Sequence, residues 1–286
     1  MKKISFIIVS ILLICAHASA ESSVWKVQKG ESVIYLGGTI HLLRDSDFPL
    51  PKEFEEAYRK SEILVFETDL GKFNDPSIQK ELISRAMYSD GSTIDQHLTQ
   101  KTYSLLQKYC SKNNIPLTAL KQFKPSAIAV TIATIELAKL GVGQYGVDMF
   151  FYEQAKKDMK IIEALESVEE QIQYIVDMGE GNEDAFITYT IRDMNSIKQH
   201  FEDMLEAWSK GDTNRLNHLI ISELKTKTPK LYKELMIDRN ENWLPVIDTY
   251  QKTREIEFIL VGVGHLVGPE GIIVALMQKG YKVEKL

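Results

Sequence analysis

The sequence predicts an α/β protein. A central mixed sheet is formed by the N- and C-terminal segments, and a large helical insertion over residues 76–252 acts as a cap. Three observations lead there. Short apolar runs bounded by glycines and polar turns gather near both ends of the chain. The middle carries apolar positions at helical spacing, punctuated by prolines and glycines. The 286 residues are 44% hydrophobic and 26% charged, an ordinary globular composition. With 16 Gly, 8 Pro and no sustained heptads, collagen, coiled-coil and disordered classes are excluded.

Residues 1–20 read as an export signal. Met1-Lys2-Lys3 is positively charged, residues 4–16 are apolar apart from Ser5 and Ser10, and Ala18-Ser19-Ala20 supplies a small-residue cleavage site. The run is too short to span a bilayer. Ile14 before Cys15 is too bulky for a lipid-attachment site. The expected mature chain, residues 21–286, is one α/β domain, periplasmic or secreted, with no membrane association. It keeps only Cys110, so it has no intrachain disulfide.

The elements follow in order. Residues 24–27 and 32–36 form two strands around a turn at Gly30, and Gly37-Gly38 end the second. Residues 53–60 are helical, and the apolar strand 63–66 stops at Glu67. Helices are expected over 76–88 and 99–112. Pro125 opens a strongly apolar helix to Leu140 that reads as buried; Glu136 and Lys139 argue against a membrane span. Residues 147–157 form another helix before a strand at 160–163, and Ser167 with Glu170 spells a capping box. Residues 183–252 are almost wholly helical, with breaks at Gly211-Asp212, around Pro229 and at Pro245. A strand at 257–261, a helix at 269–278 and a strand at 281–284 close the chain, with no internal repeat.

Four polar residues stand at the carboxyl ends of these strands: His41, Glu67, Glu166 and His265. Ligands of open α/β sheets bind at that edge. His41 and His265 each follow a glycine by three residues, in Gly38-Thr39-Ile40-His41 and Gly262-Val263-Gly264-His265. Such glycines permit tight reversals and close backbone approach. Two imidazoles and two carboxylates on one edge suit a metal ion, or a base and its orienting partner. Each also has an ordinary use: a strand-end His is often structural, Glu67 can cap a helix or pair with a surface Lys, and Glu166 can be solvated like its neighbours Glu163, Glu169 and Glu170. Arg239 in Asp238-Arg239-Asn240 reads either as an anion clamp or as part of a helix cap. His97, His200 and His218 sit in polar helical contexts and read as surface residues, and the methionines as packing.

Other signatures are missing. Lys plus Arg is 34 against 40 Asp plus Glu, a net charge of −6, so nucleic acid is not an expected partner. No zinc-protease helix motif, nucleophile elbow or P-loop is present. The Gly-x-Gly-x-x-Gly at 141–146 follows a helix, not a strand, so it is no dinucleotide site. Cys110 lies in a helix away from the strand ends.

Taken together, Gly-Gly-Thr-Ile-His at 37–41, Glu67, Gly-Val-Asp at 146–148, Leu-Glu-Ser at 165–167, Asp-Arg-Asn at 238–240 and Val-Gly-Val-Gly-His-Leu-Val-Gly at 261–268 resemble the TraB/GumN family, which includes TIKI-type metalloproteases. The resemblance covers nearly the whole mature chain. It implies an α/β fold of the erythromycin esterase and ChaN-like group. For the TIKI branch it implies metal-dependent peptide hydrolysis. Residue by residue, it points to His41, Glu67, Glu166, Arg239, Asn240 and His265.

Three readings stay open. In the first, an exported peptidase holds a divalent ion (Mn, Co, Fe or Zn) through His41, Glu67 and His265. Glu166 then acts as base, and Arg239 with Asn240 stabilises the anionic intermediate. In the second, His41 is the general base of a metal-free esterase or amidase. In the third, a cleft walled by the helices around 125–158 binds a peptide or haem without turnover.

Overall fold

The computed structural model describes residues 22–143 and 145–286. The export signal expected over residues 1–20 lies outside the described residues.

Six strands form one mixed sheet: β1 (Val24–Lys29), β2 (Ser32–Thr39), β3 (Ile63–Phe66), β4 (Ile161–Ala164), β5 (Glu257–Gly262) and β6 (Lys282–Lys285). Their order is β4-β3-β5-β2-β1-β6. The bounds lie within a few residues of those read from the sequence, the ordinary spread for strand ends. β4, β3, β5 and β2 run parallel, and β1 lies antiparallel between β2 and β6. The strands near the C-terminus therefore insert among those from the N-terminus. All four parallel strands end on one edge.

Sequence composition explains which strands are central. β3 is Ile-Leu-Val-Phe and is buried throughout; β5 is buried from Glu257 to Val261. Strands covered on both faces need such continuous apolar runs. β4, at the edge, alternates, and Ile161 is half exposed. Successive side chains of a strand point to opposite faces. Phe258 of β5 meets Phe54 of α1 (Lys52–Lys60), while Ile259 and Val261 point the other way.

The remaining main helices are α2 (Pro76–Arg85), α3 (Gln100–Lys112), α4 (Pro125–Lys139), α5 (Val147–Lys157), α6 (Val168–Asp177), α7 (Glu183–Met194), α8 (Ile197–Ser209), α9 (Arg239–Thr249) and α10 (Ile272–Gln278). Several begin on their expected caps. Asp75 accepts from the Ser77 amide ahead of Pro76, Thr99 accepts from Thr102, and Ser167 with Glu170 closes a capping box. Around the sheet, Phe54, Phe151 of α5, Trp208 of α8 and Phe258 pack with ring centroids 5.4 to 6.3 Å apart. The Trp208 indole N–H donates to the Gly38 carbonyl at 2.6 Å, tying α8 to β2. A second core lies among α3, α4 and α7, built on Leu106, Ile128, Ile132, Ile187 and Ile191.

Two expectations differ from the structure. α4 is not wholly buried: Ile128 and Ile132 face the second core, but Val130 is 46% exposed. Pro245 does not break α9, which runs on to Thr249. Buried Trp243 and Ile247 flank it, and their packing overrides the lost backbone hydrogen bond. Two wide helical turns, Asn217–Ser222 and Lys233–Asp238, interrupt the region before α9. Among the described residues, no helix is long and apolar enough to cross a membrane.

Phe258→Ala removes the ring shared by α1, α5 and β5. It is expected to lower the unfolding free energy by about 3–5 kcal/mol. Urea denaturation measures this, and a loss under about 1 kcal/mol would contradict the core described.

Candidate active site

The parallel strands deliver their following residues to one rim. β2 leads to His41, β3 to Glu67, β4 to Glu166 and β5 to His265, which sits on a single helical turn, Val263–Leu266. A methyl group placed on Gly262 would lie 3.2 Å from Glu67 Oε1 and 3.7 Å from both His265 Cδ2 and His41 Nε2. The two histidines and Glu67 thus ring one point. Arg239 reaches the same place from the start of α9, just past the wide turn at Lys233–Asp238, and Asn240 lies behind His265. Five of the six residues singled out in the sequence converge, and the sixth holds one of them.

Arg239 is the hub. Its Nη2 donates to Glu67 Oε2 and to Glu166 Oε1, each at 2.7 Å. Its Nε donates to Glu166 Oε2 at 3.1 Å, and its Nη1 lies 3.1 Å from His265 Nε2. The guanidinium stacks over Trp243 at 4.6 Å and Tyr174 at 5.4 Å. Glu166 Oε2 also accepts from the Trp243 indole at 2.9 Å. Both oxygens of Glu166 are thereby engaged, so a base role would require Arg239 to leave it. Asn240 does not reach the cleft. Its Oδ1 lies 2.8 Å from His265 Nδ1, and its amide donates to the carbonyls of His265 and Glu270. It therefore fixes the ring that Arg239 touches from the other side.

The two histidines differ. His265 is 3% exposed, and burial pushes it down to about 3 against the pull of Glu67, so it is neutral. With Nδ1–H donated to Asn240, its Nε2 lone pair faces Arg239. His41 has a side chain 58% exposed, and its Nδ1 lies 3.0 Å from Asp148 Oδ2. Asp148 raises it, to about 9. Burial also pushes Glu67 up, but Arg239, His41 and the Gly262 amide together hold it well below the usual carboxylate range. Glu166 is raised by burial, with Arg239 opposing.

Sequence reasoning gave Asp148 no role. Its signal was the Gly-Val-Asp at 146–148. Gly146 is needed because any Cβ there would lie 2.2 Å from the His41 carbonyl. The Val147 amide donates to Ile40 at 3.0 Å, so the start of α5 docks on the β2 loop with Asp148 under His41. Gln171 of α6 was also missed; its Oε1 lies 3.5 Å from Arg239 Nη2.

A cavity of about 300 Å³ opens beside His41, Glu67 and Asp148. Leu42, Leu70, Phe73, Met149 and Ile175 form its apolar wall. The wall expected from helices around 125–158 is corrected here: α5 contributes Met149, but α4 is not part of the lining, because it packs in the second core.

Among the described residues, no three His, Cys, Asp or Glu side chains are grouped so as to hold a metal ion. The donor types nonetheless fit one. Each imidazole is held through Nδ1 by an oxygen, as metal-bound histidines are, and Glu67 supplies a carboxylate between them. Arg239 shares two of these three donors.

The TraB/PrgY/gumN family model matches residues 23–285. The chain is similar to the metalloprotease TIKI2 of Danio rerio, at 24% identity over 87% of this chain and 58% of the relative. TIKI2 of Xenopus tropicalis is also 24% identical, over 92% of this chain and 59% of the relative. The chain thus spans under two thirds of these two relatives. The Escherichia coli K12 protein YbaP, described as uncharacterized, is 21% identical over 84% of this chain and 86% of its own length. No solved structure matches.

Arg239→Ala leaves two buried carboxylates without their partner and is expected to lower the unfolding free energy by about 3–5 kcal/mol. Chemical denaturation at neutral pH reads this; a neutral effect would remove Arg239 as the hub. The His41–Asp148 pair favours the folded state fully below the ordinary histidine value of 6.5, and that contribution disappears as pH rises through about 9. An NMR titration of the metal-free protein should place His41 near 9, and Asp148→Asn should return it towards 6.5.

Proposed function

The chain belongs to the TraB/PrgY/gumN family, and on that premise we propose that it is a metal-dependent hydrolase, a peptidase that works outside the cytoplasm. The observation that carries this reading is the convergence of His41, Glu67 and His265 at one edge, with both rings oriented through Nδ1. The export part rests on the pattern of residues 1–20. The hydrolase part is supported by the similarity to TIKI2 metalloproteases.

His41, Glu67 and His265 would hold a divalent ion of the Mn, Co, Fe or Zn type, which do not differ enough in donor preference for this set to choose among them. The ion would supply Lewis-acid polarisation of the scissile carbonyl. The protein's own residues do the rest. Asp148 and Asn240 aim the two imidazoles. Arg239 balances the charge of Glu67 and Glu166 and keeps a positive field behind the rim. In this reading Arg239 and Asn240 are positioning residues, and Glu166 anchors Arg239. The cavity holds the peptide against His41.

One observation favours a second reading. His265 Nε2 already meets Arg239, while His41 is open to the cavity and backed by Asp148. His41 would then be a general base towards water without any ion, active in its neutral form as pH rises towards about 9.

Peptide cleavage by the purified protein separates the two. In the first reading, a strong chelator abolishes cleavage, added Mn, Co, Fe or Zn restores it, and His41→Ala or His265→Ala lowers kcat/KM by about 100-fold or more. Cleavage that survives complete metal removal, yet is lost in His41→Ala, selects the second. Intact cleavage in both histidine variants rejects the site.

A further inference from the structure

The cavity beside His41 has a composition that selects what enters it. Beside buried Phe66 and Leu260, its apolar lining has five further side chains from four segments: Leu42 after β2, Leu70 and Phe73 in the turn Leu70–Phe73, Met149 of α5 and Ile175 of α6. All five side chains are only partly covered, so each gains burial when the cavity fills. The lining also includes two carboxylates, Glu67 and Asp148, and the neutral polar side chains of Thr39, Thr68, Asn74 and Gln171. Both carboxylates are already paired, Glu67 with Arg239 and Asp148 with His41. Asp148 Oδ1 is buried and has no hydrogen-bond partner among the described residues, so an incoming ammonium must shed its water to reach it, and an incoming carboxylate meets two negative charges. No Lys or Arg is part of the lining among the described residues. A volume of about 300 Å³ is at the lower end for small-molecule pockets. It holds one side chain with adjoining backbone.

We infer that this cavity is a specificity pocket for a single large apolar side chain of a peptide, of leucine, methionine or phenylalanine size, next to the bond presented to His41. The inference rests on the peptidase reading of the same site. Met149 and the leucines are adaptable walls, so the pocket discriminates by size and polarity more than by detailed shape. Ile175 and Phe73 are specificity residues that make no contact with the histidines' ring nitrogens.

The test uses the full mature chain and peptides identical except at one guest position, carrying leucine, alanine, lysine or aspartate. Cleavage is measured as kcat/KM. Binding is read separately, from the methyl NMR signal of Met149 on addition of N-acetyl-leucinamide or N-acetyl-alaninamide. Leucine peptides should exceed alanine peptides by roughly tenfold or more, with lysine and aspartate peptides lower still. Ile175→Trp, which fills the cavity, should erase the leucine preference. Leu70→Phe provides a second, milder filling should the first variant fold poorly by circular dichroism. Cleavage without a leucine preference, or a preference untouched by both filling variants, overturns the pocket and leaves the peptidase reading standing. Selective leucinamide binding that a filling variant removes, with no peptide cleaved, upholds the pocket and overturns the peptidase reading. Neither binding nor cleavage overturns both.

Discussion

Arg239 carries the charge balance of the carboxyl edge. Glu67 and Glu166 are both buried beside it, and without a cation two such carboxylates cannot both stay ionised. The guanidinium suits this place because its planar fork serves two acids and an imidazole at once. Its faces rest on Trp243 and Tyr174. Glu67 follows β3, Glu166 follows β4, His265 follows β5 and Arg239 opens α9. One side chain therefore ties four segments distant in the chain, and removing it leaves uncompensated charge in the interior.

Around that hub the two histidines divide the work. His265 is enclosed, neutral and clamped from both ring nitrogens. His41 stands open to the cavity with a carboxylate behind it. The asymmetry comes from backbone packing. Gly146 lets the start of α5 press against the His41 carbonyl, which brings Asp148 under the ring. Gly262 lends its amide to Glu67 Oε1 at 2.7 Å and leaves the space in which the three groups meet. The wide turn before α9 lets adjacent Arg239 and Asn240 both point inward, a use common to such helical irregularities.

The rim was legible early because its logic is topological. Short apolar runs ending in His41, Glu67, Glu166 and His265 must, if parallel, end on one edge. Arg239 and Asn240 stood out in a polar triplet at a helix start, though their bonds did not. Asp148 stayed silent because its partner lies 107 residues away. Glu166 looked solvated among Glu163, Glu169 and Glu170, yet it is paired on both oxygens. Pro245 looked like a break, and α4 looked fully buried. Both judgements used local pattern where distant packing decides.

Residue order alone settled the class of fold, the placement of strands at both ends, the helix caps and the position of four polar residues at strand ends. These follow from period, propensity and turn chemistry, which act over a few neighbours. Assembly in three dimensions determined which nitrogen of each histidine is free, that Arg239 stands between Glu67 and Glu166, and which helices wall the cavity. Such pairings join segments far apart along the chain. They depend on burial and on the balance of charge within the folded interior, which no short stretch of sequence contains.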